Sequence, residues 1–108
     1  MDRTRPRPPM SLADALALQH TPGHSAEVFA DGDLEVRFAA GPAYVPQVLH
    51  QRDELYIVAA GTGCYRMEDK VIPVGTGDLL FAPAHVAHGF EGISENFAAW
   101  VVFYGPKK

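Results

Sequence analysis

From residue 26 to residue 104 no apolar period longer than one short strand survives, and turn-forming residues interrupt the chain every few positions. EVFADGDLEVRFA, ELYIVAA, CYRM, KVIPV, DLLFAP, HGFEG and NFAAWVVFYG read as strand segments. Among the turns that punctuate them are Asp31-Gly32, Gly61-Thr62-Gly63, Glu68-Asp69 and Gly75-Thr76-Gly77. Such short strands bury apolar surface only by packing one sheet on another, so the pattern demands an antiparallel β-sandwich or barrel. Asp31-Gly32 predicts a two-residue hairpin turn, and YVPQVLH, residues 44–50, predicts a further strand. The two Gly-Thr-Gly turns are too short a match to indicate an internal repeat.

Ahead of the strands, SLADALALQ, residues 11–19, predicts one short helix. Ser11 caps it, Asp14 stands at the capping-box position, and Leu12, Ala15 and Leu16 make its apolar side. Residues 1–10 carry Arg3, Arg5 and Arg7 among Pro6, Pro8 and Pro9, which predicts a solvated, disordered tail. Residues 11–108 then form one domain with one core.

Charge and cysteine content narrow the function. Between residues 11 and 106 twelve acidic residues face four basic ones (Arg37, Arg52, Arg66, Lys70), a net charge of −8. That balance argues against nucleic acid as a partner, because phosphate binding needs a concentrated basic face. No apolar run approaches the roughly 20 residues of a membrane span. The single Cys64 excludes an intrachain disulfide, fits a reducing compartment and reads as a small buried hydrophobe. LADALAL is broken by Asp14 and lacks a convincing cleavage site, so a cytoplasmic protein is expected.

The chemistry concentrates in two stretches. In VLHQRDELYIVAAGTG, His50 stands four residues before Glu54. Either both face solvent at a strand bend, or a bend at residues 51–53 turns both inward to hold something. In GDLLFAPAHVAHGF, Gly77, Pro83 and His88 recur at set spacing. Together with Gly41 and Gly61, these residues resemble the two motifs of the cupin superfamily, over residues 41–92.

The resemblance implies a jelly-roll β-barrel and a divalent transition metal (iron, manganese, nickel or zinc) held by His50, Glu54 and His88. The first motif's other histidine would fall at position 48, which is Val48, so the usual three-histidine, one-glutamate set loses a ligand. His85 replaces the second motif's usual glycine, and Gly92 its closing asparagine. His85 could replace the missing ligand, but its place three residues before His88 in a proline-containing turn puts it at the barrel mouth. Gln47, beside the vacant position, could supply an amide oxygen if Pro46 shifts the register, an outward side chain being the default. Tyr56 and Val58 share the parity of Glu54, and Phe90 that of His88, so they are candidate pocket residues, with Phe81 beside them. Ordinary core packing accounts for these four equally well.

On the last strand Trp100, Val102 and Tyr104 alternate with Val101 and Phe103, so both faces are apolar. One should meet the barrel interior, and the other the N-terminal helix or a partner chain, with a homodimer expected. The functional expectations are a metal-dependent enzyme, oxygenase- or isomerase-like, on a small organic molecule; a non-catalytic ligand-binding or sensing barrel; or a vestigial metal-free barrel. In the last, Glu54 would be hydrogen-bonded to a buried histidine.

Overall fold

A computed structural model describes residues 8–18, 24–41 and 50–108. Among these residues one helix, α1 (Leu12–Leu16), precedes eight strands: β1 (Ala26–Asp31), β2 (Leu34–Ala40), β3 (Asp53–Ala60), β4 (Thr62–Met67), β5 (Lys70–Gly75), β6 (Leu79–Ala82), β7 (His88–Glu91) and β8 (Ala98–Tyr104). They form a five-stranded sheet in the order β1-β2-β8-β3-β6 and a three-stranded sheet in the order β5-β4-β7. Every pairing is antiparallel. At Gly61 the chain leaves the first sheet and enters the second, which wraps the two sheets around one interior.

The strands follow the alternation in the sequence. Tyr56, Val58, Phe97, Ala99 and Val101 meet Tyr65 and Val74 in the interior cluster. On the outer side of the larger sheet, Ala15 of α1 packs with Phe38 and Ala98, joined by Trp100, whose ring meets that of Phe38 edge-on at 4.8 Å. The second apolar face of β8 is thus covered in part by the N-terminal helix. Pro73 is accommodated because β5 ends its sheet and needs no N–H on its open side.

Three local expectations are corrected. The β1–β2 hairpin turns at Gly32-Asp33, one residue later than Asp31-Gly32, because Asp31 pairs with Leu34 and Gly32 takes the positive φ of 60°. The helix has its Ser11–Asp14 capping box but ends at Leu16 and not at residue 19; Ala15 is buried, while Leu12 and Leu16 are exposed. Phe81 pairs with Leu55 on the outer face of the sheet and is exposed, so it does not line the interior. The predicted strand over residues 44–50 and the predicted tail fall largely outside the described residues; residues 8–10 are exposed and irregular.

Gly61 and Gly77 are glycines for different reasons. Gly77 has φ +92° with open space where a Cβ would sit, so only its backbone conformation demands glycine. Gly61 has φ +81°, and a Cβ there would lie 2.8 Å from the Phe97 Cα and 2.5 Å from the Ser94 Oγ. Urea unfolding should show Gly77→Ala destabilised by about 1–2 kcal/mol from the left-handed backbone alone. Gly61→Ala should lose that amount plus about 1–3 kcal/mol for overpacking against backbone that cannot swing away.

Candidate metal centre

His50 precedes a bend at Gln51 and Arg52, after which β3 begins at Asp53. The bend lets the imidazole and the Glu54 carboxylate share the barrel interior. The ring Nδ1 of His50 lies 2.7 Å from the Arg52 carbonyl and donates to it. Arg52 is itself anchored: Nη2 bonds Glu35 Oε1 at 2.6 Å, and the guanidinium lies 5.1 Å from the Phe103 ring centroid. Burial opposes ionisation of Glu35, but Arg37 and Arg52 outweigh it and hold the carboxyl below its ordinary range.

His88 opens β7 in the opposite sheet, and its Nδ1 donates to the Val86 carbonyl at 2.9 Å. Its Nε2 lies 3.0 Å from Glu54 Oε1, 3.1 Å from the Tyr56 hydroxyl and 3.2 Å from His50 Nε2. His50 Nε2 also contacts Glu54 Oε1 directly. Glu54 and His88 are each 2% exposed. Both imidazoles therefore use Nδ1–H on a backbone carbonyl and turn Nε2 toward one carboxylate oxygen, within a three-residue group whose ligand atoms lie within 4.8 Å of one another.

This donor set has a definite electrostatic meaning. With Nδ1 protonated, each neutral imidazole offers only a lone pair at Nε2, and the carboxylate is an acceptor as well. Three acceptors converging in a buried place repel unless a cation lies among them, either a proton or a metal ion. Carbonyl-fixed tautomers are the outer support that metal-ligating histidines use. The donor set thus fits a divalent transition metal.

A second brace holds the loop before His88. Asp53 accepts from the Ala84 N–H at 2.9 Å and pairs with Lys108 Nζ at 2.6 Å. The Lys108 ammonium, then the Ala84 N–H, lowers its pKa. The His85 N–H donates to the His50 carbonyl at 2.8 Å. The His85 side chain is exposed and turns to the Lys108 carbonyl at 2.5 Å, away from the three-residue cluster. His85 has φ 66°, the left-handed backbone expected of the glycine that it replaces.

Of the candidate pocket residues, Tyr56 reaches His88 through its hydroxyl, and Phe90 meets the Tyr56 ring edge-on at 4.9 Å. Gln47 and Val48 lie outside the described residues. Sequence reasoning misses Tyr65, which faces the same interior from β4. Its ring centroid lies 6.4 Å from that of His88 and 6.2 Å from that of Tyr56. Its pKa is pushed up to about 12 by burial and by the Glu54 charge. The available signal is its place two residues from Met67 on an alternating strand; that Met67 pairs with His88 appears only in the folded sheet.

A small jelly-roll barrel with an inward His–Glu–His group is the class that fold and site define. The family model described as Cupin domain matches residues 34–104, and the chain belongs to this family. It is 36% identical over 58 residues to an uncharacterized protein of Streptomyces coelicolor, a match covering 54% of this chain and 55% of that one, so the aligned part spans about half of the relative. A cupin-2 domain containing protein from Shewanella frigidimarina is structurally similar at TM-score 0.69 and 18% identity, over 88% of this chain and 93% of that one. The DMSP lyase DddQ from Ruegeria pomeroyi matches at TM-score 0.63 and 24% identity, over 78% of this chain but 47% of its own. No helix among the described residues is long and apolar enough to cross a membrane.

For His88, burial favours the neutral ring, but the Glu54 carboxylate and the Val86 carbonyl outweigh it and raise the pKa above 6.5. In metal-free protein this stabilisation is fully present below the unfolded histidine pKa and is lost as pH rises through the folded value. Histidine NMR titration of metal-free protein should therefore place His88 above the ordinary value. Glu54→Gln should move it down, because burial then meets no carboxylate.

Proposed function

We propose that the chain binds one divalent transition-metal ion through His50, Glu54 and His88 and acts there on a small organic molecule. The observation that carries this reading is the convergence of two carbonyl-oriented Nε2 lone pairs and a buried carboxylate oxygen on one point. When bound, the ion supplies Lewis acidity or activates oxygen. The protein's own residues hold the ligands in their tautomers, keep the site dry with Tyr56 and Phe90, and place the Tyr56 hydroxyl beside His88. Three protein ligands leave positions open for a small molecule, which suits an enzyme of oxygenase or isomerase type. The likeness to the DMSP lyase DddQ lies in the barrel alone, so its substrate is not carried over.

The second reading is a barrel that binds or senses a small molecule without turnover, and the third is a metal-free barrel in which a shared proton replaces the ion. Elemental analysis of untagged protein, incubated with manganese, iron, nickel or zinc at pH 7.5 and then desalted, separates the third from the others. One equivalent of metal is expected, and a metal-free result overturns the metal reading. His88→Ala, which removes a ligand itself, should cost most of the metal affinity, more than the about 10–100-fold typical for loss of an outer-shell partner. His85→Ala should leave metal affinity within about twofold, because its side chain is turned to Lys108. Turnover against a substrate panel separates the first reading from the second.

We also propose a homodimer through the outer face of β3 and β6. Ile57 pairs with Leu79 and Leu55 with Phe81, and Ile57, Leu79 and Phe81 are exposed. A second copy fits this face because a two-fold axis sets one apolar row against its equal. Analytical ultracentrifugation should find a dimer that Leu79→Glu converts to monomer. A wild-type monomer at micromolar concentration overturns the proposal.

A further inference from the structure

Tyr65 is 3% exposed, and its hydroxyl is a buried polar atom without a hydrogen-bond partner among the described residues. Leaving a buried hydroxyl unsatisfied is destabilising, and a phenylalanine would fill the same ring space without that loss. The ring packs against Tyr56 and Phe90, so packing accounts for the ring and not for its oxygen. The ring stands on the interior wall that β4 shares with β7, its centroid 6.4 Å from that of His88, where Tyr65 pairs with Phe90 and the neighbouring inward residue Met67 pairs with His88. A phenol, with an ordinary pKa of about 10, is protonated across the physiological range, so toward an anion the Tyr65 hydroxyl acts as the hydrogen-bond donor.

We propose that Tyr65 is a ligand-positioning residue whose hydroxyl donates a hydrogen bond to an oxygen of a small carboxylate bound beside the His50–Glu54–His88 cluster. The inference rests on the metal reading for the sign of the charge. A divalent ion with the one carboxylate of Glu54 leaves a net positive centre, which a monoanion neutralises. Tyr65 stands on the sheet opposite the one that carries Glu54, so it would hold the carboxylate from the side that Glu54 does not reach. Small carboxylates would be favoured over isosteric amines, because an ammonium is repelled by the net positive centre.

Tyr65→Phe tests this with acetate as the probe and Co(II) as the metal. Acetate binding, titrated calorimetrically against Co(II)-loaded protein, should weaken about tenfold in the variant, the loss expected for one hydrogen bond to a charged group. The Co(II) affinity should stay within about twofold, and the metal-free variant should resist urea at least as well as wild type, because it loses an unpartnered hydroxyl. A variant that binds acetate as tightly as wild type overturns the proposal. So does a metal-free variant clearly less stable than wild type, which would give the hydroxyl a structural partner. Wild-type protein that holds no Co(II) overturns the metal reading instead. Acetate titrated into the metal-free pair then decides Tyr65 alone, and wild type that binds no acetate in either form overturns it too.

Discussion

Everything near the centre of this barrel follows from a carboxylate placed where water cannot reach it. Glu54 is buried between two sheets, and an isolated carboxylate in such a place is among the least favourable arrangements a protein can adopt. Two imidazoles answer it, one from just before the bend ahead of β3 and one from the start of β7. Each arrives with its other nitrogen already committed to a backbone carbonyl. The group is therefore stable only with a cation inside it, and the barrel is organised to keep the three atoms close.

Two braces do that organising. Glu35 on β2 holds the Arg52 side chain, and the Arg52 carbonyl accepts from the His50 ring, so a part-buried ion pair braces the residue that orients this imidazole. Asp53 ties the start of β3 to the Ala84 N–H, and the His85 N–H closes on the His50 carbonyl. The stretch leading to His88 is thereby fastened to the strand that carries Glu54. His85 keeps a left-handed backbone at a position where glycine would be free of strain; its ring contact with Lys108 is the only side-chain return visible there among the described residues.

Much of this organisation is legible in local sequence pattern. The alternation in ELYIVAA places Glu54, Tyr56 and Val58 on one face, and the three are buried together. Gly61 and Gly77 read as turn residues, and both have positive φ. Boundaries are less legible: the hairpin slips by one residue because either Gly32 neighbour could share the turn, and only cross-strand pairing decides which. The pattern overextends the helix because Leu18 continues the apolar period while the chain has already left helical geometry, yet Leu18 still packs on the Ala15 cluster. The side taken by Phe81 is illegible because every residue in LLFA is apolar, and an unbroken apolar run does not say which parity faces in.

The sequence by itself determined the class of fold, because that depends on local alternation and turn chemistry; the set His50, Glu54 and His88 was legible only as what the resemblance to the two cupin motifs implies. Tertiary structure decided the rest. Which nitrogen of each histidine faces Glu54 depends on the carbonyls of Arg52 and Val86, which local sequence cannot orient. That Tyr65 stands near His88, with a hydroxyl that has no partner among the described residues, depends on the pairing of β4 with β7, a contact between segments more than twenty residues apart. Short-range pattern sets which residues can face inward; only the register between strands sets which of them meet.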